Sequence, residues 1–156
     1  MGQAKNAKNA TILLVEDSED DYEATMRSFK AAHMKNPVQW CKSGKDAMTY
    51  LQKSEYYLNN GIKGVNPGPG LVLLDLNMPG IDGRKVLHLI KQDEWLKKIP
   101  VIVLTTSADA KDVEQCYTLG ASTYIQKPVN FDGLIDAVTR IKEYWFEIAL
   151  LPGESS

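Results

Sequence analysis

Five short apolar runs alternate with segments of helical periodicity, and this alternation limits the folds open to the chain more than any other feature. The runs lie at residues 11–15, 38–41, 71–75, 100–105 and 122–126. The first reads Thr11-Ile12-Leu13-Leu14-Val15 and the third Leu71-Val72-Leu73-Leu74-Asp75. Unbroken apolar runs this short, rich in branched residues, fit strands buried on both faces. Between them, a helix is expected over about residues 19–34, with acids at its start and Tyr22, Met26, Phe29 and His33 at helical spacing. Ser43 is placed to cap a second helix carrying Ala47, Met48 and Leu51. Val86, Leu87 and Ile90 mark a third helix starting near Gly83. A fourth over residues 109–119 stops at Gly120, the usual residue just past a helix end. A long fifth helix is expected from about Phe131 towards Leu150. Strand and helix in strict alternation give a parallel sheet with helices on both faces.

The chain has 156 residues, room for one ordinary domain and not for two. The expected organisation is a loose polar tail at residues 1–10, a domain over 11–149 and a tail over 150–156. Residues 55–70, with Asn59-Asn60-Gly61 and Pro67-Gly68-Pro69-Gly70, form an insert too long for an ordinary helix-to-strand connection. Lys plus Arg is 18 against 20 Asp plus Glu, which argues against binding nucleic acid through bulk charge. The longest apolar runs are about five or six residues, far short of the roughly 20 a membrane span needs. Cys41 and Cys116 are too few for a disulfide framework, and His33 and His88 lack metal-ligand spacing. A soluble, cytoplasmic protein is expected.

Function begins with where the polar residues fall. Glu16-Asp17, Asp75, Thr105 and Lys127 each follow a predicted strand at its C-terminal end, the edge at which open α/β sheets bind ligands. If the first and third strands are neighbours, Asp17 and Asp75 face each other with Glu16 alongside. Three crowded carboxylates either hold protons or surround a hard cation. Oxygen donors without nearby His or Cys favour Mg²⁺ over zinc. Lys127 adds an ammonium and Thr105 a hydroxyl, a set suited to a phosphoryl group carried on Asp75. The bland alternative is that each is a solvated strand-end residue or a helix cap; four on one edge weigh against it.

The words around these residues carry more. Ile12-Leu13-Leu14-Val15-Glu16-Asp17, Leu73-Leu74-Asp75-Leu76-Asn77-Met78-Pro79-Gly80-Ile81-Asp82-Gly83, Pro100-Val101-Ile102-Val103-Leu104-Thr105 and Gly120-Ala121-Ser122-Thr123-Tyr124-Ile125-Gln126-Lys127-Pro128 follow in order at family-like spacing. In these stretches the chain resembles the response-regulator receiver domains of two-component signalling. The resemblance implies a flavodoxin-like, doubly wound α/β fold, with a five-stranded sheet in the order 2-1-3-4-5. It implies that Asp75 accepts a phosphoryl group from a sensor histidine kinase. Glu16, Asp17, Asp75 and the carbonyl of Asn77 would hold Mg²⁺, with Mn²⁺ or Ca²⁺ as substitutes. Thr105 and Lys127 would contact the phosphoryl group, Tyr124 would be the switch aromatic, and Lys127–Pro128 a cis peptide. Glu16 departs from the commoner Asp. A narrower resemblance, to the stand-alone regulators encoded beside cyanobacterial phytochromes, rests on the insert, on Trp95-Leu96-Lys97-Lys98-Ile99-Pro100 and on the aromatic run Tyr144-Trp145-Phe146. It implies a phytochrome-type kinase partner.

Two other chemistries fit the topology less well. A phosphatase using Asp75 would want a second acid just after the nucleophile, where Leu76 and Asn77 stand. A flavin carrier would need a hydroxyl-rich phosphate loop in place of Glu16-Asp17. The last helix adds an expectation about assembly. Leu134, Val138, Ile141, Trp145 and Ile148 form a stripe that runs on beyond the sheet. Tyr144, Trp145 and Phe146 are therefore expected to be exposed in a monomer and to anchor a homodimer.

Overall fold

The computed structural model describes residues 10–54, 68–78 and 82–151. Of the expected insert, residues 55–67 lie outside the described residues, as do residues 1–9 of the first tail and 152–156 of the last.

The five apolar runs form strands β1 (Ile12–Val15), β2 (Val38–Cys41), β3 (Leu71–Leu74), β4 (Val101–Thr105) and β5 (Thr123–Gln126). All pair in parallel in the order β2-β1-β3-β4-β5, as expected. The helices are α1 (Glu19–Ala31), α2 (Gly44–Gln52), α3 (Gly83–Gln92), α4 (Ala110–Leu119) and α5 (Phe131–Ile141), with a 3₁₀ turn at Leu96–Lys98. The strand period of two splits the core between the two faces of the sheet. Leu13, Val15, Val72, Leu74, Val101 and Val103 pack with Ala47, Leu51, Val86, Leu87, Ile90 and Cys116 of α2, α3 and α4. Ile12, Leu14, Leu71, Leu73 and Ile102 pack with Phe29 of α1 and Leu134, Val138 and Ile141 of α5.

The helix ends follow local chemistry. Ser43 Oγ accepts the Asp46 N–H, so the expected cap is in place. Ser18, Asp82, Asp109 and Asn130 cap the other four helices in the same way. Gly120 takes φ +109° in the left-handed C-terminal turn of α4, where a side chain would be strained. The first helix is shorter than its periodicity predicts. It ends at Ala31, and His33 follows at φ +58°, outside the helix.

The last helix departs most from expectation. Its α-helical part stops at Ile141, and Lys142–Ile148 forms wider π turns that close with the Ala149 N–H donating to the Tyr144 carbonyl at 2.7 Å. A π turn takes more residues per revolution, so the stripe expected at alternating four- and three-residue spacing goes out of phase. Phe146 turns into the core and Leu151 packs beside Ala10 and Gly70, while Ile148 points out. The aromatic run is thus not exposed as a block: the chain end folds back on its own domain and buries Phe146. No helix among the described residues is long and apolar enough to cross a membrane.

Candidate functional site

The parallel ladder runs past the strand ends and carries the polar residues with it. The Glu16 N–H donates to the Cys41 carbonyl (3.1 Å), Asp75 N–H to Val15 (3.1 Å) and Lys127 N–H to Thr105 (2.6 Å). These bonds hold the residues that directly follow β1, β3 and β5 at one edge of the sheet. There Glu16, Asp17 and Asp75 each offer a carboxylate oxygen within 4.8 Å of the others. Glu16 is buried, Asp75 half-buried and Asp17 exposed.

Glu16 is the most constrained of the three. Its Oε1 is 2.9 Å from Lys127 Nζ, and its Oε2 accepts the Ser18 N–H at 3.3 Å. Burial pushes its pKa up to about 7 against the pull of Lys127, and the charge of Asp75 adds to the rise. Burial works against the charge on Lys127, but Glu16, with Asp75 and Asp21, more than offsets it, and its pKa is raised. The Asn77 N–H donates to Asp75 Oδ1 (3.3 Å), and the Asn77 side-chain amide reaches Thr105 Oγ1 (3.5 Å). Thr105 is fully buried. Tyr124 is half-buried, with its hydroxyl donating to the Ser107 carbonyl at 2.9 Å. The predicted residues Glu16, Asp17, Asp75, Asn77, Thr105 and Lys127 therefore lie together, with Tyr124 beside them on β5.

One expectation fails. No described peptide bond is cis, so Lys127–Pro128 is trans. The trans form is the lower in free energy for any X–Pro bond. Lys127 makes its bond to Thr105 and reaches Glu16 from that conformation, so the site does not require the other isomer.

The cluster fits a hard divalent cation. Its donors are all carboxylate oxygens, they converge on one point, and mutual repulsion without a counter-charge disfavours them. The residues that would hold it are Glu16, Asp17 and Asp75, with Asn77 two residues on from Asp75.

Other supports were not visible in the motifs. Gly83 opens α3 against the Asp75 backbone: a Cβ there would drive into the Asp75 carbonyl oxygen and meet Leu76 Cα at 2.7 Å. Arg84 Nη2 pairs with Asp112 Oδ1 at 2.6 Å, and Asp112 Oδ2 accepts from Ser107 Oγ at 2.8 Å. That chain ties α3 to α4 beside the loop after Thr105. Trp40 donates its indole N–H to the Glu16 carbonyl at 2.8 Å. Periodicity would have placed Trp40 only on a strand face, and nothing in the sequence marks the partner 28 positions from Arg84.

A doubly wound parallel sheet with three acids and a lysine outside its C-terminal strand ends is the architecture of a receiver-type signalling domain. The sequence matches the response regulator receiver domain over residues 12–139, and the chain belongs to that family. Response regulator Rcp1 of Synechocystis is 40% identical over 141 residues, covering 90% of this chain and 92% of Rcp1. The crystal structure of its Mn²⁺-bound form superposes with a TM-score of 0.78, over 92% of this chain and 99% of that one. The phosphorylated cyanobacterial phytochrome response regulator RcpA is 38% identical, also with a TM-score of 0.78, over 92% and 99%. The probable methanogenesis regulatory protein FilR2 of Methanothrix harundinacea is 39% identical over 142 residues, covering 91% of this chain and 87% of FilR2. Receiver domains bind divalent metal and partner with histidine kinases.

Proposed function

We propose that the protein is a phosphorylation-controlled signalling switch of the cytoplasm, charged at Asp75 by a sensor histidine kinase of the phytochrome type. The observation that carries this reading is the convergence of Glu16, Asp17 and Asp75 within 4.8 Å, beside the ammonium of Lys127. An oxygen of the Asp75 carboxylate attacks phosphorus in line. The O–P bond forms as the P–N bond to the kinase histidine breaks, and the electron pair stays on the imidazole nitrogen. Glu16, Asp17, Asp75 and the Asn77 carbonyl would hold Mg²⁺, with Mn²⁺ or Ca²⁺ as substitutes, and the bound ion would supply positive charge against the phosphoryl oxygens. Lys127 and the Thr105 hydroxyl supply the remaining donors. As Thr105 moves to the phosphoryl group, Tyr124 leaves the Ser107 carbonyl and turns inward, changing the face formed by β5, α4 and α5. Apart from its own phosphorylation and dephosphorylation, the protein turns over no substrate.

Two copies pair through that face and the chain end. Tyr117 on α4 and Tyr144, Ile148 and Leu150 at the chain end are large exposed apolar side chains, which favours a second copy over nucleic acid as the partner; no membrane contact is proposed. Phe146 stays inside each copy.

The test of the phosphoacceptor is labelling by acetyl phosphate or a phosphorylated phytochrome-type kinase in Mg²⁺. Asp75→Asn is expected to take up no acid-labile phosphate. Persistent label on that variant would overturn the assignment.

A further inference from the structure

The acidic pocket is supported from β2 by an aromatic residue that the phosphotransfer chemistry does not use. Trp40 lies on β2 in register with Leu14 of β1, two residues before Glu16. Its indole N–H donates to the Glu16 carbonyl at 2.8 Å, and the Glu16 N–H donates to the Cys41 carbonyl at 3.1 Å. Both backbone polar groups of Glu16 are thus fixed by consecutive residues of β2. The indole is itself held. Tyr22 of α1 stacks on it with ring centroids 3.7 Å apart and planes 7° from parallel. Lys42 Nζ sits 4.8 Å from the Trp40 ring centroid and 3.3 Å from Glu19 Oε1. Tyr22 and Glu19 lie just after the turn, in the first helix, with Trp40 on the strand opposite and Lys42 just past its end. The turn between them, residues 16–18, carries two of the three carboxylates.

We propose that Trp40 is a positioning residue for the metal cluster. Its indole N–H, with the ring clasped by Tyr22 and Lys42, sets the backbone direction at Glu16 and so the convergence of Glu16 and Asp17 on Asp75. A buried carbonyl that loses its donor turns to find another. Because Asp17 is the next residue, rotation at that carbonyl moves its carboxylate away from Asp75. The role rests on the metal-binding reading above and adds to it a residue with no ligand atom of its own.

Trp40→Phe keeps a smaller ring against Tyr22 and removes the donor. Mn²⁺ alone is titrated into the full chain, with the free ion read by electron paramagnetic resonance. The variant is expected to bind about fivefold more weakly, ~1 kcal/mol at 1.4 kcal/mol per tenfold. Labelling by acetyl phosphate is expected to need a correspondingly higher Mg²⁺ concentration and to reach the wild-type rate at saturation. General loss of fold would lower the saturated rate instead. Tyr22→Leu, which loosens the indole without removing it, gives a second reading should Trp40→Phe not fold, with Mn²⁺ binding about twofold weaker. Wild-type affinity in the variants, alongside normal binding by the wild type, overturns the inference alone. A wild type that binds no Mn²⁺ overturns the metal cluster and the inference together.

Discussion

Lys127 Nζ lies 2.9 Å from Glu16 Oε1, with the two side chains only 11% and 3% exposed. The extra methylene of Glu16, relative to the commoner aspartate, gives the carboxylate the reach for this pair. Removing Lys127 takes away the group that holds the Glu16 pKa down, so Glu16 takes up a proton and stays buried without its partner, at a cost of about 1–3 kcal/mol. Lys127→Met is therefore expected to lower stability by that order, and adding Glu16→Gln to restore a large part of it. Urea unfolding of the two single variants and the double closes the cycle. Additive losses would show that the two side chains do not depend on each other.

Gly83 makes a different kind of support. Its missing Cβ lets the first turn of α3 lie against the Asp75 carbonyl and Leu76 Cα, both backbone positions that cannot swing aside. Alanine has the better helix propensity by about 1 kcal/mol, so substitution on an open helix would stabilise. Here Gly83→Ala is expected to destabilise by about 1–3 kcal/mol, as overpacking does. It should also slow labelling of Asp75, whose backbone must shift. A raised urea midpoint would contradict the close approach.

Much of this was legible in the sequence. The strand runs are continuous because the sheet is covered on both sides, so β1, β3 and β4 declare themselves by composition alone. Glu16, Asp17, Asp75, Thr105 and Lys127 follow, since each stands where a strand ends, whereas Asn77 and Tyr124 come only from the family resemblance. What escaped was set by geometry that no period encodes. The π turns at Lys142–Ile148 shift phase without any Pro or Gly to announce them. The hydrogen bond from Trp40 to Glu16 joins two strands whose neighbourhood is known only once the sheet is assembled. The trans bond at Lys127–Pro128 likewise answers to the local backbone, not to residue type.

The Arg84–Asp112 pair gives a pH signature. A hydrogen bond from Arg84, aided by Ser107, holds the Asp112 carboxyl below its ordinary value of 3.8, and Arg84 is raised in turn. A carboxylate with a depressed folded pKa stabilises above its unfolded pKa and loses that contribution as pH falls through the folded one. Arg84→Gln is expected to lower the urea midpoint by a constant amount between pH 7 and pH 5. The gap should close below about pH 3.8, as Asp112 takes up its proton. A gap that persisted in acid would assign the loss to packing of the Arg84 side chain instead.

The chain end separates folding from assembly. Phe146 is 3% exposed, whereas Tyr144, Ile148 and Leu150 are 52%, 71% and 83% exposed. Tyr144 meets Trp145 edge to face at 5.0 Å, so the exposed ring is braced by a half-buried one. Phe146→Ala empties a core site shared with Leu14, Val138 and Leu151, and is expected to cost about 3 kcal/mol or more in urea unfolding. Tyr144→Ala with Leu150→Ser touches only exposed surface and should leave the unfolding midpoint within about 0.5 kcal/mol. If two copies pair through this surface, the same double variant shifts the sedimentation coefficient from dimer towards monomer at micromolar concentration. Phosphorylation should move that equilibrium, because Tyr124 lies on β5 beside the same face. A wild-type chain that sediments as a monomer, with and without acetyl phosphate, would rule out the pairing and leave the exposed side chains to a different partner.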